Sequence, residues 1–160
     1  MTRVLFYLGL AGLIVIADQA SKAVVVAELD LYQRIDVLPF FSWVRAHNYG
    51  AAFSLFDTPG GIQRWFFVVL AVGFAGFIGY ELRRLPPSEP LLGWAYGLVL
   101  GGAIGNLIDR VVHGYVVDFL YFNYGGWDFP AFNVADTALS IGAALWILSM
   151  VLEMRRPAES

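Results

Sequence analysis

The sequence predicts an all-α membrane protein with four transmembrane helices and a small extramembrane β-sheet between the first two helices. Hydrophobic residues make up 59% of its 160 residues and charged residues make up 14%. Soluble domains have about 45–50% apolar residues and about 25% charged residues. The mean hydropathy is +0.66. Four apolar stretches, each long enough to cross a bilayer, alternate with polar segments. Together these observations indicate a multi-pass membrane protein.

The predicted spans cover residues 4–27, 64–82, 91–112 and 134–154, all within one domain of residues 1–160. A spanning helix needs roughly 20 residues, and each segment reaches this length once its polar ends lie among the headgroups. The first segment also has the loose pattern of a cleaved signal peptide. Three further spans follow it, which favours a retained helix.

Basic residues near the span ends give the expected orientation. Lys and Arg are enriched in the short cytoplasmic segments of membrane proteins. The four-span arrangement places equal numbers of Lys and Arg residues on each side of the membrane, but only one of the two groups is concentrated in short segments. We therefore expect both termini in the cytoplasm and the insertion 28–63 outside. The concentrated group is Arg3, Arg83–Arg84 and Arg155–Arg156; the dispersed group is Lys22, Arg34, Arg45, Arg64 and Arg110.

The insertion contains the predicted sheet. Residues 34–56, "RIDVLPFFSWVRAHNYGAAFSLF", are rich in Val, Ile, Phe and Trp, as is typical of strands. A loose alternation would place Phe41, Trp43, Arg45 and His47 on one face. We expect a sheet at the membrane surface with its aromatic side chains at headgroup depth.

Small residues form a stripe on the third span. Gly97, Gly101 and Gly105 recur every four residues, with Gly102 beside them. Such spacing allows helix backbones to approach closely. Gly93 is interpreted as lying outside the stripe.

Polar residues gather at the predicted outer ends of the spans, where ionisable groups usually mark function. Asn133 and Asp136, three apart, share a helix face, and we expect one of them to cap the fourth helix. Two more pairs, each four apart, also share helix faces: Asp18–Lys22 and Asn106–Arg110.

Local explanations compete with a functional one. Asp18 and Lys22 could form an ordinary i,i+4 ion pair. Asp109 could merely pair locally with its neighbour Arg110. In the functional interpretation, Arg110 could pair with Asp109 and help to orient a site by charge-assisted hydrogen bonds. Asp128, near a proline, is interpreted as an exposed turn residue.

Two carboxylates are the best candidates for chemistry. Asp118 follows the third span and Asp136 opens the fourth, and the loop between them could fold back to bring them together. Such a pair can share a proton, so that one carboxyl group activates water and the other donates a proton. His47 and His113 have no suitable serine partner and no metal-binding spacing. We therefore expect an aspartic hydrolase without metal or cofactor.

Five short motifs give a resemblance to a known family. The strings "DQASK", "NYGAAFSLF", "GGAIGNLIDR", "VVDF" and "FNVAD" occur in this order, and the chain resembles the bacterial lipoprotein signal peptidases (signal peptidase II). The resemblance directly covers residues 18–136. Single motifs of this length would be weak, but five in order on a four-span chain are specific.

The resemblance implies a multi-pass aspartic endopeptidase of the bacterial inner membrane with its site near the periplasmic face. Such enzymes remove the signal peptide of a prolipoprotein by hydrolysis just before its diacylglyceryl-modified cysteine, need no cofactor, and are inhibited by globomycin. They also have an extramembrane β-cradle, which matches the predicted sheet.

The resemblance also implies roles for individual residues. Asp118 and Asp136 match the catalytic pair, and Asp18 matches a carboxylate that supports the site. From its place beside Arg110, we expect Asp109 to support the site as well. The positions matching those that line the site and hold the substrate are Asn48, Asn106, Arg110 and Asn133.

Other functional classes remain as alternatives. A small ion-coupled transporter could use membrane-embedded Asp and Asn side chains as a relay, although the polar residues gather at one surface. An assembly protein could be held together by the glycine stripe alone. The net charge of −3, with dispersed basic residues, excludes nucleic acid as an expected partner.

Overall fold

The computed structural model describes residues 2–50 and 61–155. Within these ranges, four helices and four strands alternate as two helix–hairpin–helix units. The helices are α1 (Thr2–Glu28), α2 (Ile62–Arg84), α3 (Pro90–Val112) and α4 (Val134–Met154); the strands are β1 (Arg34–Leu38), β2 (Phe41–Asn48), β3 (Val116–Tyr124) and β4 (Trp127–Phe132). All four helices are long and apolar enough to cross a membrane. The prediction of four long apolar helices is confirmed.

Helix α3 lies at the centre of the bundle and packs against each of the other three helices. The core between them is built from apolar side chains such as Tyr7, Ile78, Leu82 and Val99. By contrast, the outward faces of α1, α2 and α4 carry many exposed apolar side chains. An apolar outer surface is what lipid contact requires, because lipid tails are as apolar as the side chains themselves.

The glycine stripe of α3 is a site of close helix contact. A Cβ atom at Gly101 would lie 2.8 Å from the carbonyl oxygen of Ala11, and one at Gly105 would lie 2.8 Å from Oδ2 of Asp18. Both positions therefore need glycine for α1 to approach α3 this closely.

The stripe is longer than the sequence pattern predicts. A Cβ atom at Gly93 would overlap the ring of Tyr7 on α1, so the expectation that Gly93 lies outside the stripe is wrong. The four-residue period starts one turn earlier, where the glycine contacts a tyrosine side chain of α1 and not the α1 backbone. Gly102 faces the opposite neighbour, since its Cβ would lie 2.5 Å from the carbonyl oxygen of Ala135 on α4.

The four strands form one antiparallel sheet in the order β1-β2-β3-β4. The expected sheet between helices 1 and 2 supplies only β1 and β2. The segment between Asp118 and Asp136, expected to be a loop, is a hairpin that turns at Gly125 and Gly126 with φ of 59° and 83°. Two positive φ values are typical of a tight type I′ hairpin turn. Asp128 is exposed as expected, but it lies on β4 instead of in a turn.

A bulge in β2 changes which side chains face the site. Trp43 pairs with Leu120 and Ala46 pairs with Asp118, so β2 has one residue more than β3 between these pairs. An extra residue reverses the alternation of side chains. The expectation that the odd-numbered residues of 41–47 share one face is therefore wrong.

Candidate active site

Asp118 lies on β3 and is buried, with both carboxylate oxygens held by amides. The Nδ2 atom of Asn48, at the end of β2, donates to Oδ2 of Asp118 at 2.9 Å. The Nδ2 atom of Asn133 donates to Oδ1 at 2.7 Å. The bulge in β2 is what brings Asn48 to this face of the sheet, two residues beyond the Ala46–Asp118 pair.

The environment of Asp118 favours its protonated form. Burial raises the pKa of Asp118 to about 7, and the nearby charge of Asp136 adds to the increase, while the bonds from Asn48 and Asn133 oppose it. Burial acts in this direction because a charged carboxylate loses its hydration. A carboxyl group with such a pKa can hold and release a proton near neutral pH, as general acid–base catalysis requires.

Asp136 lies in the first turn of α4, beside the cap of that helix. Asn133 is the N-cap, and its Oδ1 accepts from the backbone N–H of Asp136 at 2.8 Å, so the expectation that Asn133 or Asp136 caps this helix is confirmed for Asn133. The Oδ1 atom of Asp136 accepts from Nδ2 of Asn106, on α3, at 2.7 Å. Thus Asp136 is oriented both by its own helix and by α3.

One asparagine joins the two carboxyl residues. The amide of Asn133 donates to Asp118 and accepts from the backbone of Asp136. It also lies 3.3 Å from Oδ1 of Asn106. Asp118 and Asp136 are therefore brought into one hydrogen-bonded group by strands and helices from distant parts of the chain.

Arg110 does not pair with Asp109, which corrects the expectation of a local ion pair. Its Nη1 atom donates to the carbonyl oxygen of Asn106 at 3.3 Å, and its guanidinium carbon lies 5.0 Å from the ring centroid of Phe67 on α2. Successive helical residues point about 100° apart, so neighbouring side chains face different partners. Arg110 also interacts electrostatically with Asp136.

Asp109 belongs instead to a buried ion cluster, which we define as Asp18, Lys22 and Asp109. The Nζ atom of Lys22 lies 2.7 Å from Oδ2 of Asp18 and 3.0 Å from Oδ2 of Asp109. All three side chains are at most 4% exposed. The local Asp18–Lys22 pair therefore exists, but it is part of a contact between α1 and α3.

The cluster supports the backbone around the two carboxyl residues. Oδ1 of Asp18 accepts from the N–H of Ala135, next to Asp136, at 2.9 Å. Oδ2 of Asp109 accepts from the N–H of Val117, next to Asp118, at 3.0 Å. Each carboxylate of the cluster thus anchors the residue preceding one of the candidate catalytic residues.

Sequence reasoning did not assign Lys22 or Gln19 to the site. The Nε2 atom of Gln19 donates to Oδ1 of Asp109 at 2.8 Å and lies 3.2 Å from Oδ2 of Asp18. A signal was present, because both residues are within the "DQASK" motif. A lysine this far inside an apolar span also needs buried partners.

An apolar cleft lies along the hairpin beyond Asp118. Alternate residues of a strand share a face, so Leu120 and Phe122 continue the face that carries Asp118. The cleft has a volume of about 440 Å³ and is lined by Phe40, Phe122, Asn123, Tyr124, Trp127, Phe129 and Phe132.

Within the described ranges 2–50 and 61–155, no three His, Cys, Asp or Glu side chains are arranged to hold a metal ion. Part of the "NYGAAFSLF" motif, residues 51–56, lies outside these ranges.

Comparison with known proteins identifies the family. The model of the family described as "Signal peptidase (SPase) II" matches residues 10–152. The lipoprotein signal peptidase of Alteromonas mediterranea is 49% identical over 144 residues, which cover 90% of this chain and 79% of the relative. The lipoprotein signal peptidase of Shewanella woodyi is 51% identical over 139 residues, which cover 87% of this chain and 79% of the relative.

Two solved structures, each described as a bacterial membrane enzyme, share the fold. One has a TM-score of 0.85 and 29% identity and covers 97% of this chain and 93% of its own. The other has a TM-score of 0.82 and 31% identity, and the match covers 91% of this chain and 92% of that chain. With its four apolar helices and its matched relatives, the chain belongs to the signal peptidase II family of aspartic membrane peptidases.

Proposed function

We propose that this chain cleaves prolipoproteins just before the diacylglyceryl-modified cysteine, at the periplasmic face of the bacterial inner membrane, with Asp118 and Asp136 as the catalytic pair. The observation that carries the proposal is the hydrogen-bonded group in which Asn133 joins these two residues. It lies where α3 and α4 meet the sheet, so a peptide leaving the bilayer would meet water there. The acylated signal peptide would stay in lipid during the reaction.

The reaction uses one proton on the pair. Because the pKa of Asp118 is raised to about 7, we assign this proton to Asp118 in the reactive form and the role of general base to Asp136. Asp136 removes a proton from water, whose oxygen bonds to the scissile carbonyl carbon while Asp118 donates its proton to the carbonyl oxygen. The tetrahedral intermediate then collapses: Asp136 gives its proton to the nitrogen, the C–N bond breaks, and Asp118 regains a proton from a hydroxyl group of the intermediate. A carboxylic acid and an amine result, and the pair again holds one proton.

We infer that the three asparagines orient the carboxyl groups more than they hold substrate. Asn48 donates to Asp118 and accepts from the N–H of Gly50 at 2.8 Å, so both ends of its amide are engaged. Asn106 and Asn133 are engaged in the same way. Preorganised dipoles of this kind need no rearrangement as the reaction proceeds.

Arg110 is the best candidate for a contact with substrate. Among the described residues, its hydrogen-bond partner is the carbonyl oxygen of Asn106, and a guanidinium has five N–H donors. Stacking on Phe67 holds the group in place. The remaining donors can bind backbone carbonyl oxygens of the signal peptide or of globomycin, which we expect to inhibit this chain.

Replacement of each catalytic residue tests the proposal. We expect Asp118→Asn and Asp136→Asn each to lower kcat on a lipidated prolipoprotein by about 10²–10⁴-fold, because asparagine cannot exchange the required proton. The purified variants should unfold at temperatures near that of the wild type. Asp128→Asn is the matched control, since Asp128 is an exposed residue of β4. Near-normal turnover by either variant, or wild-type activity that a chelator removes, would overturn the mechanism.

A further inference from the structure

Lys22 has all three of its N–H donors matched by acceptors. Its Nζ atom lies 2.7 Å from Asp18, 3.0 Å from Asp109 and 3.1 Å from Oδ1 of Asn106. An ammonium group has three donors and no acceptor. Two contacts balance charge, but the third is made to a neutral side chain within the candidate active site.

The third contact, together with a longer bond of 3.3 Å from Nδ2 of Asn133, determines which way the Asn106 amide points. Its oxygen accepts from Lys22, so its nitrogen faces Oδ1 of Asp136 at 2.7 Å. The reversed amide would direct N–H groups at the ammonium and leave the oxygen against a carboxylate. The hydrogen bonds of the Asn106 amide to Lys22 and to Asp136 would both be lost. Polar groups that are buried without hydrogen bonds destabilise the folded protein.

We propose that Lys22 is a positioning residue for the peptidase reaction, acting through Asn106. Lys22 is the closer and the charged one of the two donors to the Asn106 amide oxygen. By holding this oxygen, it directs the amide nitrogen toward Asp136 and keeps that carboxylate oriented for proton transfer. The inference rests on the proposed catalytic role of Asp136. Lys22 itself need not touch substrate or water.

A simpler role must be separated from this one. A lysine between two buried carboxylates could be needed only to balance their charge during folding, because an uncompensated buried charge is strongly destabilising. That role depends on Asp18 and Asp109. The positioning role depends on Asn106, which the charge-balancing role does not use.

A double-mutant cycle between Lys22 and Asn106 distinguishes the two roles. We expect Lys22→Met to lower kcat on a lipidated prolipoprotein by about 10–100-fold, as outer residues that orient a site typically do, with KM within about twofold of its wild-type value. In the Asn106→Ala background, the same substitution should change kcat by less than about twofold, since the amide it orients is gone. Losses that multiply in the double variant would overturn the proposal, as would near-normal kcat in Lys22→Met.

A charge-matched variant keeps the test decisive if Lys22→Met folds poorly. Lys22→Met with Asp109→Asn leaves the ion cluster with the same net charge as in the wild type. We expect its melting temperature to recover toward that of Asp109→Asn alone, while kcat stays reduced about 10–100-fold relative to Asp109→Asn. Recovery of kcat would show that Lys22 only balances charge. Loss of the folded protein in both variants would assign Lys22 to folding and likewise overturn the proposal.

Failure of the catalytic assignment would be seen separately. Turnover by Asp136→Asn would refute the role of Asp136, whatever the cycle shows. Loss of turnover in Asp136→Asn together with multiplying losses in the cycle would refute only the role of Lys22.

Discussion

Asparagine, not a cation, is the direct partner of both candidate catalytic carboxyl groups. An adjacent Lys or Arg would lower the pKa of a carboxyl group by about 1–3 units, whereas an amide donates a hydrogen bond without a full charge. Asp118 can therefore keep its raised pKa of about 7 while both oxygens are held. Lys22 stays one residue away, behind Asn106. The asparagines thus orient the two carboxyl groups without lowering the pKa of Asp118 so far that it loses its exchangeable proton.

The raised pKa of Asp118 gives a pH prediction with a definite sign. Below about pH 7 Asp118 holds its proton, and above this value it loses the proton. We therefore expect kcat/KM to fall as pH rises above about 7, and to fall again in acid when the pair takes up a second proton. Measurement of kcat/KM against pH in a constant detergent checks this. An alkaline limb absent up to the limit of protein stability would contradict it.

The same shift predicts a loss of stability toward alkaline pH. Because the pKa of Asp118 is higher in the folded protein than its usual 3.8, the folded state binds the proton more tightly. Its stabilising effect is complete below about pH 4 and is lost as pH rises through about 7. The melting temperature should thus fall less between pH 5 and pH 8 in Asp118→Asn than in the wild type. Equal falls in the two proteins would contradict the prediction.

At the residue scale, local spacing predicts some partners and misses others. The cap at Asn133 follows from its place before an apolar run, and the Asp18–Lys22 pair follows from its spacing of four. The bond from Lys22 to Asn106 joins residues 84 apart in sequence. No local pattern specifies such a contact, because it depends on how α1 packs against α3.

At the scale of elements, helices were predictable and half of the sheet was not. Apolar length alone specifies the four helices. Strands β1 and β2 follow from their Val, Ile and aromatic content, but β4 contains Pro130, which argues against a strand. The sheet order resolves this, because β4 is an edge strand and an edge position tolerates proline.

The glycine contacts of α3 predict a difference between two substitutions. Leucine at Gly101 would press against Ala11 and Ile14, because a Cβ atom at this position would lie 2.8 Å from the Cβ atom of Ile14. Gly79 on α2 is the matched control, since a Cβ atom there would meet nothing within 4 Å. We expect Gly101→Leu to destabilise the protein by about 1–3 kcal/mol or more and Gly79→Leu to change little. Thermal unfolding in detergent measures both, and equal effects would contradict the contact.

At the scale of the whole molecule, orientation in the membrane is the main quantity to test. Clustered arginines predict that Pro87, between α2 and α3, faces the cytoplasm. Tyr124, at the hairpin tip, should then face the periplasm with Trp43 and Trp127. Reporter fusions at Pro87 and Tyr124 that are active on opposite sides would support this. Signals from the same side would contradict the four-span arrangement.

The overall assembly depends on contacts that sequence patterns do not encode. The β2–β3 ladder pairs residues 41–48 with residues 116–122, and its bulge decides that Asn48 reaches Asp118. Pairing over such a separation is set by how the helices place the two hairpins side by side. The motifs of the candidate site could therefore be predicted individually, but the hydrogen bonds that join their residues could not.

The ion cluster has a consequence for biogenesis. During translation α1 emerges first, carrying Asp18 and Lys22, while Asp109 and the backbone N–H of Ala135 emerge only with α3 and α4. Charged residues within a spanning helix are costly, and the first helix is inserted when Asp18 and Lys22 have only each other as partners. Completion of the last helix is what finally satisfies them.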